Sequence, residues 1–599
     1  MKRTWHLIAI AALLLAACGP QASPEPTAAR PTETSPPTVA EPTQTLPSPT
    51  VAAPTATVEA PTATSVPTVE QAPEAPQVEY PGLPLPMERD DFFAGSGICA
   101  VCHTQMVDEA GKDVSIDNDW RSSMMANAAR DPYWQAAVRG EVLTNPEYQA
   151  VIEDTCATCH MPMARFSTTM ADAAGQVLDE GFVDPEHPLH PLAMDGVSCT
   201  LCHQILPEGL GDHESFHGGY AIDSELAPEE REAFGPFNVG MGVIQIMQSG
   251  SGFIPVQAMH VKSSDLCATC HTVYTPFVDA SGQVAGEFPE QVPYLEWKAS
   301  TFSGKISCQG CHMPAAQGGV HLSVVGRQNL RSPVLQHTVV GGNAYMVGML
   351  GVYGEELAVT ASSAQFQKKQ GQTVEQLQGR TATIDLENVG SDGSMLTAEV
   401  VIKTMTGHKF PTAFPSRRAW IHLTVQDANG KMLFESGAVQ ANGAIAGNDN
   451  DADPLAYEPH YLGIDGPEQV QIYEAIMGNS EGQPTTTLLA GAKYLKDNRL
   501  VPAGFDKGAA EPDIAVYGAA VDDTDFGSGT DRIQYTVALN GAQGPFTVTA
   551  ELLYQSIGYR WADNLRQYRA AEPARFVGYY EEMPNQAVVV ASATFELEE

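Results

Sequence analysis

Cys99-Ala-Val-Cys102-His103, Cys156-Ala-Thr-Cys159-His160, Cys199-Thr-Leu-Cys202-His203, Cys267-Ala-Thr-Cys270-His271 and Cys308-Gln-Gly-Cys311-His312 repeat one pattern through the middle of the chain. In C-x-x-C-H, two thiols bond to the two vinyl groups of one haem, and the next residue brings its imidazole to the iron from the same turn. With 11 Cys and 16 His in 599 residues, chance supplies on the order of 0.005 such motifs, so five are no accident. Zinc also uses C-x-x-C half-sites, but it joins them in pairs and needs no His after every second Cys. The motif thiols are therefore read as attachment points of five c-type haems, and His103, His160, His203, His271 and His312 as proximal iron ligands.

Ten of the 11 cysteines lie in these motifs, and the last is Cys18. No thiol remains for a disulfide, a free nucleophile or an iron-sulfur cluster. The formal charge of -40, from 72 acidic against 32 basic side chains, argues against nucleic acid or an anionic membrane surface as partner. Haem propionates would add to it. A redox donor or acceptor protein is expected to dock through a basic patch or at a neutral spot beside a haem edge.

Met1-Lys2-Arg3 and the apolar run Leu7 to Ala17 read as a signal peptide, too short to span a bilayer. It ends in Leu15-Ala16-Ala17-Cys18, a bacterial lipobox pattern. Residues 1–17 are expected to be removed and Cys18 to carry lipid, which anchors the exported protein to the extracytoplasmic face of a membrane. Residues 18–85 are Pro-, Thr- and Ala-rich and read as an unfolded tether. Residues 86–350 are expected to form a mainly α-helical and irregular pentahaem domain whose core is the porphyrins themselves. Asn145-Pro146-Glu147 should open a helix that runs into Cys156.

A helical connector, residues 351–379 with helix from about Ala344 to Leu377, should lead into a β-rich, sandwich-like domain over residues 380–599. Its strands are predicted at 381–386, 396–404, 420–425, 433–434, 533–539, 546–553 and 588–597, where β-branched and aromatic residues alternate between Asp, Asn and Gly turns. The fold class expected is α+β and multidomain.

Each iron needs a sixth ligand or an open face. His190 and His260 lie shortly before a motif, His337 precedes Gly341-Gly342-Asn343, and His408 sits in Thr406-Gly-His-Lys-Phe-Pro411, a turn entering a strand. These four are the expected distal ligands, ahead of His217 and His321. Met125 in Trp120-Arg-Ser-Ser-Met-Met125 is the expected thioether ligand. If His408 reaches a haem, Lys409, Arg417 and Arg418 become candidate partners for propionates. Asp449, Asp451 and Asp453 concentrate carboxylates in one loop, as a calcium ion requires, although the twelve-residue helix-loop-helix pattern is missing.

Further stretches carry a family resemblance: Asp195-Gly-Val-Ser-Cys199, Ser264-Asp-Leu-Cys267, Cys311-His-Met-Pro314, and Thr406 to Thr412 with Pro415-Ser-Arg-Arg418. With Trp120 to Met125 and His337 to Asn343, they resemble multihaem cytochromes c of the superfamily containing the tetrahaem electron acceptor of hydroxylamine oxidoreductase. The nearer likeness is to a pentahaem subgroup with a β-rich C-terminal domain. The resemblance implies electron transfer along neighbouring haems and names no substrate. The competing expectation is an oxidoreductase acting on a small nitrogen or sulfur compound at one open-site haem. No C-x-x-C-K motif, the lysine-ligated form, is present.

Overall fold

From Ala382 to the C-terminus the alternation of apolar and polar residues becomes two sheets with a common interior. The computed structural model describes residues 80–326 and 329–598. One sheet runs Lys493–Asp497, Ile472–Gly478, Arg418–Gln426, Phe546–Gln555, Val588–Leu597, with Met432–Ser436 also paired to Arg418–Gln426. The other runs Ala382–Ser391, Met395–Thr404, Thr530–Ala538, Gly463–Ile464, and only its last pairing is parallel. Leu396, Val400 and Ile402 from the second sheet meet Ile421, Val425 and Val548 from the first in one buried cluster. Side chains on alternate positions of each strand supply that interior.

Seven of these strands fall where the alternation predicts them. Ile472–Gly478 has no such signal because it is buried at every position, so neither face is marked by polar residues. The hairpin Val273–Val278 with Val284–Gln291 was also outside the expected strands. It packs within the same buried cluster, through Tyr274, as the two-sheet core.

The helices are short. Pro132–Thr144 is opened by Asp131, whose side chain accepts the Tyr133 and Trp134 N–H groups, with Pro at the first position. Asn145 ends this helix, its N–H reaching the Glu141 carbonyl, and a 3-10 turn at Pro146–Tyr148 precedes Gln149–His160. Asn145 therefore closes one helix and makes no side-chain cap for the next. The expected connector is two helices, Ala344–Val352 and Ser363–Arg380, the second opened by a capping box of Ser362 and Gln365.

Residues 75–599 form one compact unit. Ala268, Val292 and Tyr294 from the motif region share the sheet cluster, and Ala571–Glu582 packs against Pro132–Thr144. No helix among the described residues is long and apolar enough to cross a membrane. The expected signal peptide, Cys18 and most of the expected tether lie outside the described residues.

Candidate functional site

Each motif begins on a short helix: Ser96–Ala100, Gln149–His160, Cys199–Cys202, Ser264–His271 and Cys308–His312. Helical spacing puts residues three and four apart on one face, so both thiols and the imidazole of a motif point the same way. All ten motif cysteines are free, and they line one continuous cavity of about 1520 Å³ together with all five motif histidines. The thiols are half exposed, toward this cavity.

The volume exceeds the roughly 300–1000 Å³ of ordinary small-molecule pockets. Its walls are largely apolar and include Ile98, Val138, Ile152, Leu201, Phe253 and Tyr294. A large apolar group held by the thiols fits this space, and small hydrophilic ions do not.

The imidazoles are prepared for metal. Nδ1 of His103 lies 2.7 Å from the Leu322 carbonyl, that of His160 2.9 Å from Ala128, that of His203 2.5 Å from Phe234 and that of His312 2.6 Å from Val340. An Nδ1–H donated to a carbonyl leaves Nε2 with its lone pair facing the cavity, the second contact typical of ligating histidines. Trp134 stacks flat on His160, with centroids 4.3 Å apart and planes 4° apart. Burial keeps the rings neutral, the form that binds iron, with His160 and His271 pushed down to about 4.

Two further histidines face motif histidines across the cavity. His408 and His312 have centroids 6.2 Å apart and planes 12° apart, and His337 and His203 are 6.3 Å and 25° apart. Imidazoles bound through nitrogen on opposite faces of one metal have centroids about 6.3 Å apart, from metal–nitrogen bonds of about 2.0–2.1 Å and a ring radius of about 1.1 Å. The Nδ1 of His408 is held by the Lys409 carbonyl at 2.8 Å, so both rings of that pair present Nε2.

The motifs also touch one another. The Cys99 thiol lies beside that of Cys199, Cys159 beside Cys270, and Cys308 beside Cys267. Cys202 lies close enough to Cys267 and Cys270 to raise both thiols. In space the order is therefore first, third, fourth, with the second and fifth both joined to the fourth.

Of the other expected distal residues, Met125 lines the cavity, whereas His190 and His260 do not. His190 has Nδ1 on the Phe182 carbonyl at 2.9 Å, which leaves Nε2. His260 places Nε2 2.8 Å from the Ile205 carbonyl, which leaves Nδ1. Gly196, at φ +62°, lets the Asp195-Gly-Val turn before the third motif press against Met125, because a Cβ there would meet the Met125 carbonyl oxygen at 2.6 Å.

His408 is held in place by ionic groups that the sequence alone did not connect. Glu296, on the helix Pro293–Lys298, accepts the Lys409 N–H at 3.1 Å and the Thr412 hydroxyl at 2.5 Å, and pairs with Arg499 at 3.0 Å. Lys409 Nζ and Arg499 both bind Asp497 at 2.7 Å. Burial alone would raise the Asp497 carboxyl, but Arg499 and Lys409 hold it down to about 2. Removing one partner of such a pair leaves a buried charge. Lys409→Met is expected to cost about 3 kcal/mol or more, read as a lower denaturant midpoint. An unchanged midpoint would show the network to be dispensable.

This arrangement corrects three expectations. Lys409 is consumed by Asp497, and Arg418 by Asp451 at 2.8 Å and Gln555 at 2.9 Å, so of the three proposed propionate partners only Arg417 lines the cavity. The cations on its wall that the sequence did not single out are Arg89, Lys262, Arg331, Lys369 and Arg380. The calcium loop does not converge either. Asp451 serves Arg418 and the Ile445 N–H, Asp453 accepts Leu455 N–H, and Asp449 begins a short helix.

Among the described residues, the group that does bring three metal-binding side chains within 4.8 Å is His460, Asp523 and Asp531. Its hydrogen bonds exclude a metal at Nε2. Asn498 and Gln471 are oriented by Ile472 and Tyr461, and both donate to His460 Nδ1, at 3.1 and 2.8 Å. The neutral ring must carry its proton on Nε2, where it donates to Asp523 at 2.9 Å. This is a hydrogen-bonded core cluster.

No protein-family model and no curated protein matches the chain. Among solved structures it is similar to a penta-heme cytochrome c552 from Thermochromatium tepidum, at 18% identity and a TM-score of 0.46, over 84% of this chain and 98% of that one.

Proposed function

We propose that the protein is a membrane-anchored, extracytoplasmic multihaem cytochrome c that transfers electrons between redox partners through five covalently bound haems. The observation that carries this reading is the pair His312 and His408, one from a C-x-x-C-H motif and one from the strand region, at 6.2 Å with both Nε2 atoms free. Haem supplies the one-electron chemistry. The chain's own residues anchor it, keep the imidazoles neutral and exclude water. His337 and His408 would hold the irons of the motifs that contain His203 and His312, Met125 on the cavity wall would serve another, and His190 and His260, which lie off that wall, would be the further donors. The closeness of thiols from different motifs puts attachment points side by side, so haems held there would lie near one another from the first motif through the third to the fourth, with the second and fifth beside the fourth. The strongly acidic surface favours donor and acceptor proteins with basic docking patches.

A second reading, conversion of a small nitrogen or sulfur compound at an open iron, rests on one observation. Among the described residues no other histidine ring pairs at this spacing with His103, His160 or His271. Redox titration of the purified protein followed by electron paramagnetic resonance decides between them. Five low-spin ferric signals support the carrier, a high-spin signal from one iron supports the enzyme, and a colourless protein overturns both.

A further inference from the structure

Around Cys156 the cavity wall carries two buried carboxylates. Glu141, from the helix Pro132–Thr144, and Glu290, from the strand Val284–Gln291, both line the cavity, at 7% and 6% exposure. Theirs are the two largest charge effects on the Cys156 thiol. Glu141 accepts the Leu488 N–H at 2.5 Å, and Glu290 accepts the Thr275 hydroxyl at 2.5 Å. The groups facing them are Asp131 and Tyr133 from the same helix, Glu153, Cys156 and Cys159 from Gln149–His160, and Tyr494 from Lys493–Asp497. No Lys or Arg is among them. The cations that act on the facing groups are engaged elsewhere: Arg165, which acts on Cys159, is paired with Asp154 at 3.0 Å, and Arg499, which acts on Tyr494, with Asp497 at 2.7 Å and Glu296 at 3.0 Å.

We propose that Glu141 and Glu290 form a proton-binding site coupled to the haem attached at Cys156 and Cys159, so that reducing this centre takes up a proton as well as an electron. The proposal rests on the pentahaem reading. One electron passes from a one-electron donor protein to ferric iron, and one proton passes from bulk water to one carboxylate. Both leave on reoxidation, and the charge of the buried site is unchanged. In a low-dielectric interior the added negative charge acts strongly on carboxylates that have no cation to offset it. The carboxyls are poised for this role. Burial pushes each up to about 7, the Glu290 charge adds to the effect on Glu141, and the hydrogen bonds from Leu488 and Thr275 do not offset it. Asp131, also raised by burial, stands at about 6. The half-exposed turn Leu488–Ala490 gives Glu141 its route to solvent.

The test is spectroelectrochemical titration of the haem-loaded full chain between about pH 5.5 and 8.5. One haem component in five is expected to become harder to reduce as pH rises above about 7. Its ferric-to-ferrous ratio at fixed potential should shift by up to about tenfold per pH unit, or about 59 mV for one electron. Glu141→Gln and Glu290→Gln should each weaken the dependence and the double variant should abolish it, while Glu147→Gln, at an exposed position, leaves it intact. Reduced-minus-oxidised infrared spectra of the unaltered protein should show a protonated carboxyl band that appears on reduction and shifts in heavy water, a readout that needs no variant to fold. Absence of that band, five pH-independent components, or a dependence surviving in the double variant overturns the proposal. A colourless protein overturns the pentahaem reading instead.

Discussion

A chain carrying serine at all ten motif cysteines is expected not to reach its native fold. Without covalent attachment the cavity of about 1520 Å³ leaves a large apolar wall facing water, so the fold loses the burial of that surface. The damage should not stay within the motif region, because Ala268, Val292 and Tyr294 belong to the same buried cluster as the two sheets. Limited proteolysis should cut throughout residues 87–350, and far-ultraviolet circular dichroism should lose helical signal. A protease-resistant, natively helical serine variant would show that the cavity is not where the cofactors stand.

His408→Ala is the second change with a large expected effect. It removes the ring 6.2 Å from His312 and should convert one iron in five from low-spin to high-spin, visible in electron paramagnetic resonance and in the long-wavelength absorption of the ferric protein. Irons at His103, His160 and His203 should be unaffected, because these rings are held by the carbonyls of Leu322, Ala128 and Phe234 on other segments. Lys409→Met, which weakens the loop without removing a ligand, should lower stability while leaving the spin state at neutral pH unchanged. If His408→Ala leaves all five irons low-spin, the strand region does not complete the redox centre.

Much of this was legible in residue order, and particular cases show why. The five motifs are contiguous, so chemistry and spacing appear in the sequence together. The strands Met395–Thr404 and Val588–Leu597 alternate because one face meets the core and the other meets water. Ile472–Gly478 was invisible because both its faces are covered. Acidic spacing alone drew attention to Asp449, Asp451 and Asp453, yet whether carboxylates converge depends on what else claims them, and Arg418 claims Asp451. Glu141 and Glu290 carry no local signal at all, since separate elements bring them beside Cys156.

The sequence by itself determined where the five C-x-x-C-H motifs lie and which end of the chain becomes sheet, because both depend on neighbours within a few residues. Tertiary structure alone decided the spatial order of the motifs, the pairing of His408 with His312, and the consumption of Lys409 and Arg418 in ion pairs. These are contacts between residues more than 30 positions apart in the sequence, and contacts of that kind are set by how elements pack around a shared interior rather than by local pattern.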